Sequence, residues 1–147
     1  MGSIYAASKR FVPDANMVVA AFRRRGGTCT LLLRWGDRGG VTPQCSAALF
    51  LEHEAVLSRE AIRPATGRSL DDVAAVMRAF AAVAEGIDIS FRTRPMLSEA
   101  VDEMVLEAAS NGRVDAAMTH KVKDFRPALG LGVAIVTPRT ILGRLIR

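Results

Sequence analysis

The sequence predicts an α/β protein whose parallel sheet is covered by helices on both faces, and three observations lead to this prediction. Short apolar segments alternate with longer amphipathic segments along the chain, which is the order of strands and helices in parallel α/β domains. Serines stand where helices are expected to begin, and glycines where they are expected to end. Of the 147 residues 50% are hydrophobic and 24% charged, which predicts one globular domain over residues 1–147.

The predicted elements follow from the spacing of apolar residues. Five segments are predicted as strands: Phe11–Pro13, Val41–Pro43, Ile87–Ile89, Asp115–Met118 and Val133–Val136. Six segments are predicted as helices: Asn16–Arg25, Thr28–Trp35, Ser46–Arg59, Leu70–Glu85, Glu99–Ser110 and Pro138–Ile146. Ser69 and Asp72 form a capping box for the fourth helix, and Ser98 is expected to cap the fifth. A loop is predicted between the fourth strand and Gly132.

Several classes of protein are excluded by what the sequence lacks. No apolar run is long enough to span a membrane, and no signal-peptide pattern opens the chain. Cys29 and Cys45 have no metal-binding spacing, so we expect buried thiols in a reducing compartment and a cytoplasmic protein. No nucleophile elbow, phosphate loop or dinucleotide fingerprint occurs. His53 is expected at the surface or in an interface, and His120 in a solvent-facing loop.

The charge of the chain bears on its partners. Arginines and lysines exceed acids, which gives a net charge of +5 at pH 7. This excess favours polyanionic partners such as nucleic acid through attraction to phosphates. The alternative is a basic surface that only keeps the protein in solution.

Four acids stand where strands end or helices begin in the predicted fold. Asp14 follows the first strand, Glu52 lies on the third helix, Asp102 opens the helix before the fourth strand, and Asp124 follows that strand. Carboxylates that converge at one sheet edge repel each other unless a cation such as Mg²⁺ or Mn²⁺ lies between them. Asn16 is expected either to orient Asp14 by a hydrogen bond or to cap the next helix.

Each acid also has an interpretation without function. The helix dipole favours Glu99, Asp102 and Glu103 in a first helical turn. Glu52 is compatible with a solvated helix face, and Asp124 with an ordinary turn.

The chain resembles PIN-domain endoribonucleases, in particular the VapC-like toxins of toxin–antitoxin pairs. The resemblance runs from Phe11 to Leu145 and rests on several segments taken together. Those segments are the Asp-x-Asn of Asp14-Ala15-Asn16, the Glu52 helix, the Asp102–Ala109 helix start, Thr119 with Asp124-Phe125, and the closing Gly132–Leu145.

The resemblance implies a three-layer α/β/α domain with about four or five parallel strands, and hydrolysis of RNA that depends on Mg²⁺ or Mn²⁺. It implies Asp14, Asp102 and Asp124 as metal ligands, and Glu52 as a further catalytic acid. Asn16 and Thr119 would position the substrate or the acids. It further implies a homodimer and a cognate antitoxin protein that covers the acidic pocket.

Four positions depart from the family pattern: Glu99 and Val101 stand where Asp is common, Ala100 stands where Pro is common, and Lys121 is the fourth. Lys121 stands where the family usually has Asn or Asp, so its positive charge is expected either to lower metal affinity or to contact the scissile phosphate. The rival hypothesis is therefore a catalytically impaired PIN scaffold that binds RNA or protein. A deoxyribonuclease or flap-type nuclease would share the same site.

Overall fold

The central sheet has five strands, all parallel, in the order β3-β2-β1-β4-β5. The computed structural model describes residues 9–23, 41–63, 67–92, 97–112 and 114–140, and every structural statement below concerns these residues. The strands are β1 (Lys9–Pro13), β2 (Val41–Cys45), β3 (Glu85–Gly86), β4 (Ala116–Met118) and β5 (Ile135–Val136). Helices cover the sheet in a three-layer α/β/α arrangement, which confirms the predicted fold class.

Within the described ranges four α-helices and one 3-10 helix accompany the strands, in addition to the helical residues 138–140. They are α1 (Ala15–Arg23), α2 (Ala47–Ala61), α3 (Leu70–Val83), α4 (Ala100–Asn111) and the 3-10 helix Val122–Leu131. The predicted capping box is present, because Ser69 and Asp72 each accept the other's backbone N–H. No described helix has the length and apolarity needed to cross a bilayer.

Three sequence predictions on local structure are wrong. Ser98 does not cap α4, whose N-cap is Glu99 without a side-chain hydrogen bond. The third strand is Glu85–Gly86, two residues earlier than predicted, because β2 ends at Cys45 and offers no partner beyond it. The segment predicted as a loop after β4 contains the 3-10 helix.

Three predicted helices reach beyond the described residues, the first of them, Asn16–Arg25, by its last two residues. The helix expected over Thr28–Trp35 lies entirely outside them, as does Cys29. Of the last predicted helix, residues 138–140 are helical and the remainder lies outside. Cys45 is the buried thiol that the sequence predicts, and burial raises its pKa to about 11.

The core has two parts. One lies around the central strands and α4 and contains Val12, Leu49, Phe80, Val105 and Phe125, all almost completely buried. The other joins α1, α2 and α3 through a second set of buried side chains: Val18, Phe22, Leu57, Val73 and Met77. Because this packing fixes the helices on the sheet, it also fixes the acids at the helix ends.

Candidate active site

Asp14 lies at the carboxyl end of β1 and begins α1. Its backbone N–H donates to Met118 O at 3.0 Å, so the pairing of β1 with β4 continues past Pro13, which has no N–H to give. The Asp14 carboxylate accepts the backbone N–H of Met17 at 3.0 Å and thereby caps α1. Asp14 is only 1% exposed, so this carboxylate is held in a fixed, buried position.

Asn16 does not cap the helix, because α1 already begins at Ala15 and Asp14 provides the cap. That alternative for Asn16 is wrong. Its side chain is exposed and lies at the rim of a cleft beside Asp14. A substrate-positioning role for Asn16 stays a prediction.

Thr119 is the neighbour that holds Asp14. Pro13 and Met118 are register partners in adjacent parallel strands. The residues that follow them, Asp14 and Thr119, therefore lie side by side at the carboxyl edge of the sheet. The buried Thr119 hydroxyl donates to Asp14 Oδ2 at 2.5 Å and accepts the backbone N–H of Lys121 at 2.9 Å. Thr119 therefore orients the carboxylate and the start of the following segment.

Asp102 approaches the same sheet edge from α4. The helix runs back across the sheet before β4, so its first turn lies near the carboxyl ends of the strands. Asp102 is 1% exposed, and the Lys121 ammonium donates to its Oδ1 at 2.8 Å. Two buried carboxylates from opposite ends of the sequence are thus linked through Thr119 and Lys121.

A cleft of about 300 Å³ lies over these side chains. Five of the seven residues predicted for the site line it: Asp14, Asn16, Glu52, Asp102 and Lys121. Thr119 lies buried behind this lining, bonded to Asp14.

The structure adds Glu99 and Arg59 to the lining of this cleft. Sequence reasoning set Glu99 aside as an acid favoured by the helix dipole. Arg59 lies seven residues after Glu52 on the same helix, and this two-turn spacing was a signal that could have placed both on one face. Their side chains are 3.5 Å apart, between Arg59 Nη2 and Glu52 Oε1.

Asp124 is not brought to the cleft. It is exposed on the 3-10 helix, its backbone N–H donates to Lys121 O, and it is absent from the cleft lining. The next residue, Phe125, is fully buried and turns this segment so that Asp124 faces outward. Within the described part of the chain no three Asp, Glu, His or Cys side chains are placed to hold one metal ion. A ligand role for Asp124 stays a prediction.

Burial and mutual charge set the ionisation of the site. Burial raises the pKa of Asp14 above its usual value, although hydrogen bonds from Thr119 and Met17 oppose that shift. Burial alone would lower the pKa of Lys121, but its hydrogen bond to Asp102 and the nearby acids outweigh burial and raise the pKa. The ammonium therefore stays charged beside the acids.

The first prediction concerns the cost of the buried Asp14 charge. We expect Asp14→Asn to raise the melting temperature of the metal-free protein at pH 7, because Asn keeps an acceptor for Met17 N–H without the desolvated charge. The raised pKa means that the wild type regains this stability as it is acidified and the carboxyl takes up a proton. Calorimetric melting at pH 7 and pH 4 measures the difference, with exposed Asp88→Asn as the control. A melting temperature at or below wild type at pH 7 would contradict the prediction.

Neither His53 nor His120 lines the cleft. His53 was expected at the surface or in an interface, but it is 0% exposed and packs edge-on against Phe80. Neither of its nitrogens has a hydrogen-bond partner among the described residues. Burial lowers its pKa to about 4, so it is neutral at pH 7. The reason for the wrong prediction is helical phase: His53 faces the core while Glu52 faces the cleft. His120 is exposed, as expected.

The parallel sheet with two buried carboxylates at its carboxyl edge defines a three-layer α/β/α protein with an acidic site. The chain belongs to the PIN domain family, because the model of that family matches residues 10–123. That range includes Asp14, Glu52, Asp102, Thr119 and Lys121. PIN domains are generally nucleases that use divalent metals. No curated protein and no solved structure matches the chain significantly.

Proposed function

We propose that this protein is an endoribonuclease dependent on Mg²⁺ or Mn²⁺, that it acts in the cytoplasm, and that it is the toxin of a type II toxin–antitoxin pair. The observation that carries the proposal is the pair Asp14 and Asp102, each 1% exposed and both lining one cleft. Burying two carboxylates in one cleft is costly, and a cleft that concentrates such groups is a candidate functional site.

The donor chemistry of the cleft fits a hard divalent cation. Asp14 and Asp102 would hold it through carboxylate oxygens, with Glu52 and Glu99 lining the same space. A bound cation would lower the pKa of a water and neutralise charge on the phosphate. Thr119 keeps Asp14 in place, and Asn16 at the rim is positioned to meet the substrate.

RNA as the substrate is supported by charge and by family. The net charge of +5 attracts a phosphate backbone, and exposed Lys123 and Arg126 lie on the 3-10 helix that follows Lys121. Basic side chains beside an acidic cleft let a polyanion approach carboxylates that would otherwise repel it.

The test is cleavage of a substrate panel by the purified protein. We expect single-stranded RNA to be cut in Mn²⁺ or Mg²⁺ and left intact in EDTA, while DNA and flap substrates are cut poorly. Cleavage that persists unchanged in EDTA would contradict metal dependence. Preferential cleavage of DNA would instead favour a deoxyribonuclease on the same site.

The rival is a catalytically impaired module that binds RNA or protein, and the contact between Lys121 and Asp102 favours it. A cation of the chain already compensates the buried Asp102 charge. Titration of the protein with Mn²⁺ in a calorimeter separates the two hypotheses. Absence of binding at millimolar Mn²⁺, together with RNA binding without cleavage, would favour the rival.

A protein partner is supported by apolar side chains on the helical surface. Leu51 is 63% exposed, Ile62 is 73% exposed and Leu70 is 60% exposed, at α2, its C-terminal end and the start of α3. Large apolar side chains left exposed on helices are candidates for burial in a protein contact. We propose a homodimer and an antitoxin as the partners. Light scattering tests the dimer, and a small upstream reading frame whose product blocks cleavage tests the antitoxin.

A further inference from the structure

Lys121 is tied to both buried acids of the cleft. Its ammonium donates to Asp102 Oδ1 at 2.8 Å, and its backbone N–H donates to the Thr119 hydroxyl that holds Asp14. The acids that face the ammonium from different elements are Asp14, Asp102 and Glu99. The positive charge of Lys121 therefore lies among the negative charges of the cleft.

The contact uses one of the two Asp102 oxygens through which a metal ion could be held. Asp14 has one oxygen bonded to Met17 N–H and the other to Thr119, so Asp102 is the acid whose only bonded partner among the described residues is a displaceable cation. An ammonium and a divalent cation held by the same Asp102 carboxylate would repel each other strongly. Occupancy by one therefore opposes occupancy by the other.

We propose that Lys121 is the resident counter-ion of this cleft and that a divalent cation binds there only by displacing its ammonium from Asp102. The inference rests on the metal site of the proposed function and adds how that site is regulated. It predicts that metal affinity is held down by the chain itself. The nuclease would then be active only above a threshold of divalent cation.

The structure allows this exchange without a change of fold. The Lys121 side chain is 28% exposed and has four flexible methylenes, so its ammonium can move into solvent while the backbone stays anchored to Thr119. Four carboxylates and two cations line the cleft, so acids remain in excess after the ammonium leaves. The incoming cation would replace the charge that Asp102 loses.

The test compares Mn²⁺ binding by calorimetry in the wild type and in Lys121→Met. We expect the variant to bind Mn²⁺ at least about tenfold more tightly, because no ion pair has to be broken first. Its melting temperature should be lower without metal and rise further with Mn²⁺ than that of the wild type. Lys121→Gln removes the charge but keeps a donor for Asp102, and serves as the second variant if Lys121→Met does not fold.

Arg59→Met is the matched control. It removes a cation from the lining of the same cleft, but one that pairs with Glu52 at 3.5 Å and not with Asp102. A general effect of charge would tighten Mn²⁺ binding equally in both variants and would overturn the proposal. Displacement predicts that Mn²⁺ affinity rises mainly in Lys121→Met. It also predicts that adding Asp102→Asn to that variant removes the rise in affinity.

The outcomes separate this inference from the proposed function. Equal Mn²⁺ affinity in wild type and Lys121→Met overturns the displacement, even if the wild type cleaves RNA with Mn²⁺. Tighter binding by Lys121→Met supports it, even if neither protein cleaves RNA, in which case the nuclease proposal fails alone. Absence of Mn²⁺ binding in every variant overturns both.

Discussion

The rate of metal-dependent RNA cleavage is expected to fall at least about a hundredfold in the Asp102→Asn variant, which should keep the wild-type fold. The substitution preserves the shape of the side chain but removes one of two buried negative charges in the cleft. It also leaves the Lys121 ammonium without its counter-charge, which adds repulsion against an incoming cation. Folding should survive, because the Lys121 side chain is 28% exposed and its ammonium can reach solvent.

Initial rates on RNA at saturating Mn²⁺, with circular dichroism to confirm folding, measure this effect. Asp71→Asn provides the control, because it makes the same charge change at an exposed position of α3. Wild-type rates for Asp102→Asn would rule out this cleft as the site of cleavage. Asp124→Asn, assayed beside it, decides whether that exposed acid takes part, as the family resemblance implies.

The second large effect concerns the stability of the protein against acid. In the wild type, a His53 pKa lowered from 6.5 to about 4 corresponds to a loss of about 3 kcal/mol in the free energy of unfolding on acidification. We expect His53→Leu to remove this acid-dependent loss. The unfolded chain takes up a proton at His53 below pH 6.5, whereas the folded protein does so only near pH 4. Wild-type stability therefore falls as the pH drops between these values, and this histidine has no such effect above them.

Urea unfolding of wild type and variant between pH 7 and pH 4 tests the prediction. The difference in free energy of unfolding should already favour His53→Leu at pH 7, because the substitution puts apolar surface in place of two buried nitrogens that make no hydrogen bond to any described residue. That difference should then grow on acidification. His120→Gln changes an exposed histidine and should keep the wild-type profile. A constant difference across this range would show that His53 is not the group responsible.

The order of elements could be predicted from local sequence, because each depends on neighbouring residues. The capping box at Ser69, the strand before Asp14 and the helix that carries Asp102 all follow from periodicity and capping within a few positions. Asp14 and Asp102 were found for the same reason, since the ends of parallel strands and the starts of their helices share one sheet edge. The errors at β3 and Ser98 concern element ends, where the partner strand or packing decides.

Other parts of the site depend on contacts between distant segments. The helical phase that buries His53, and the rotation of the 3-10 helix that exposes Asp124, come from packing against Phe80 and around Phe125. Neither is encoded in the identity of the residue itself. Arg59 and Glu99 also joined the cleft only once the helices were packed.

The sequence by itself determined an α/β domain with a helix-covered parallel sheet and acids at one edge of that sheet, because apolar periodicity and helix capping act locally. The PIN family was indicated by the resemblance of several segments taken together, from Asp14-Ala15-Asn16 to Asp124-Phe125. Only the tertiary structure decided that Lys121 bonds Asp102 across nineteen residues and that Thr119 bonds Asp14 across a hundred and five. The physical reason is that charge pairing and burial depend on distance in space, which is fixed when the strands pair and the helices pack.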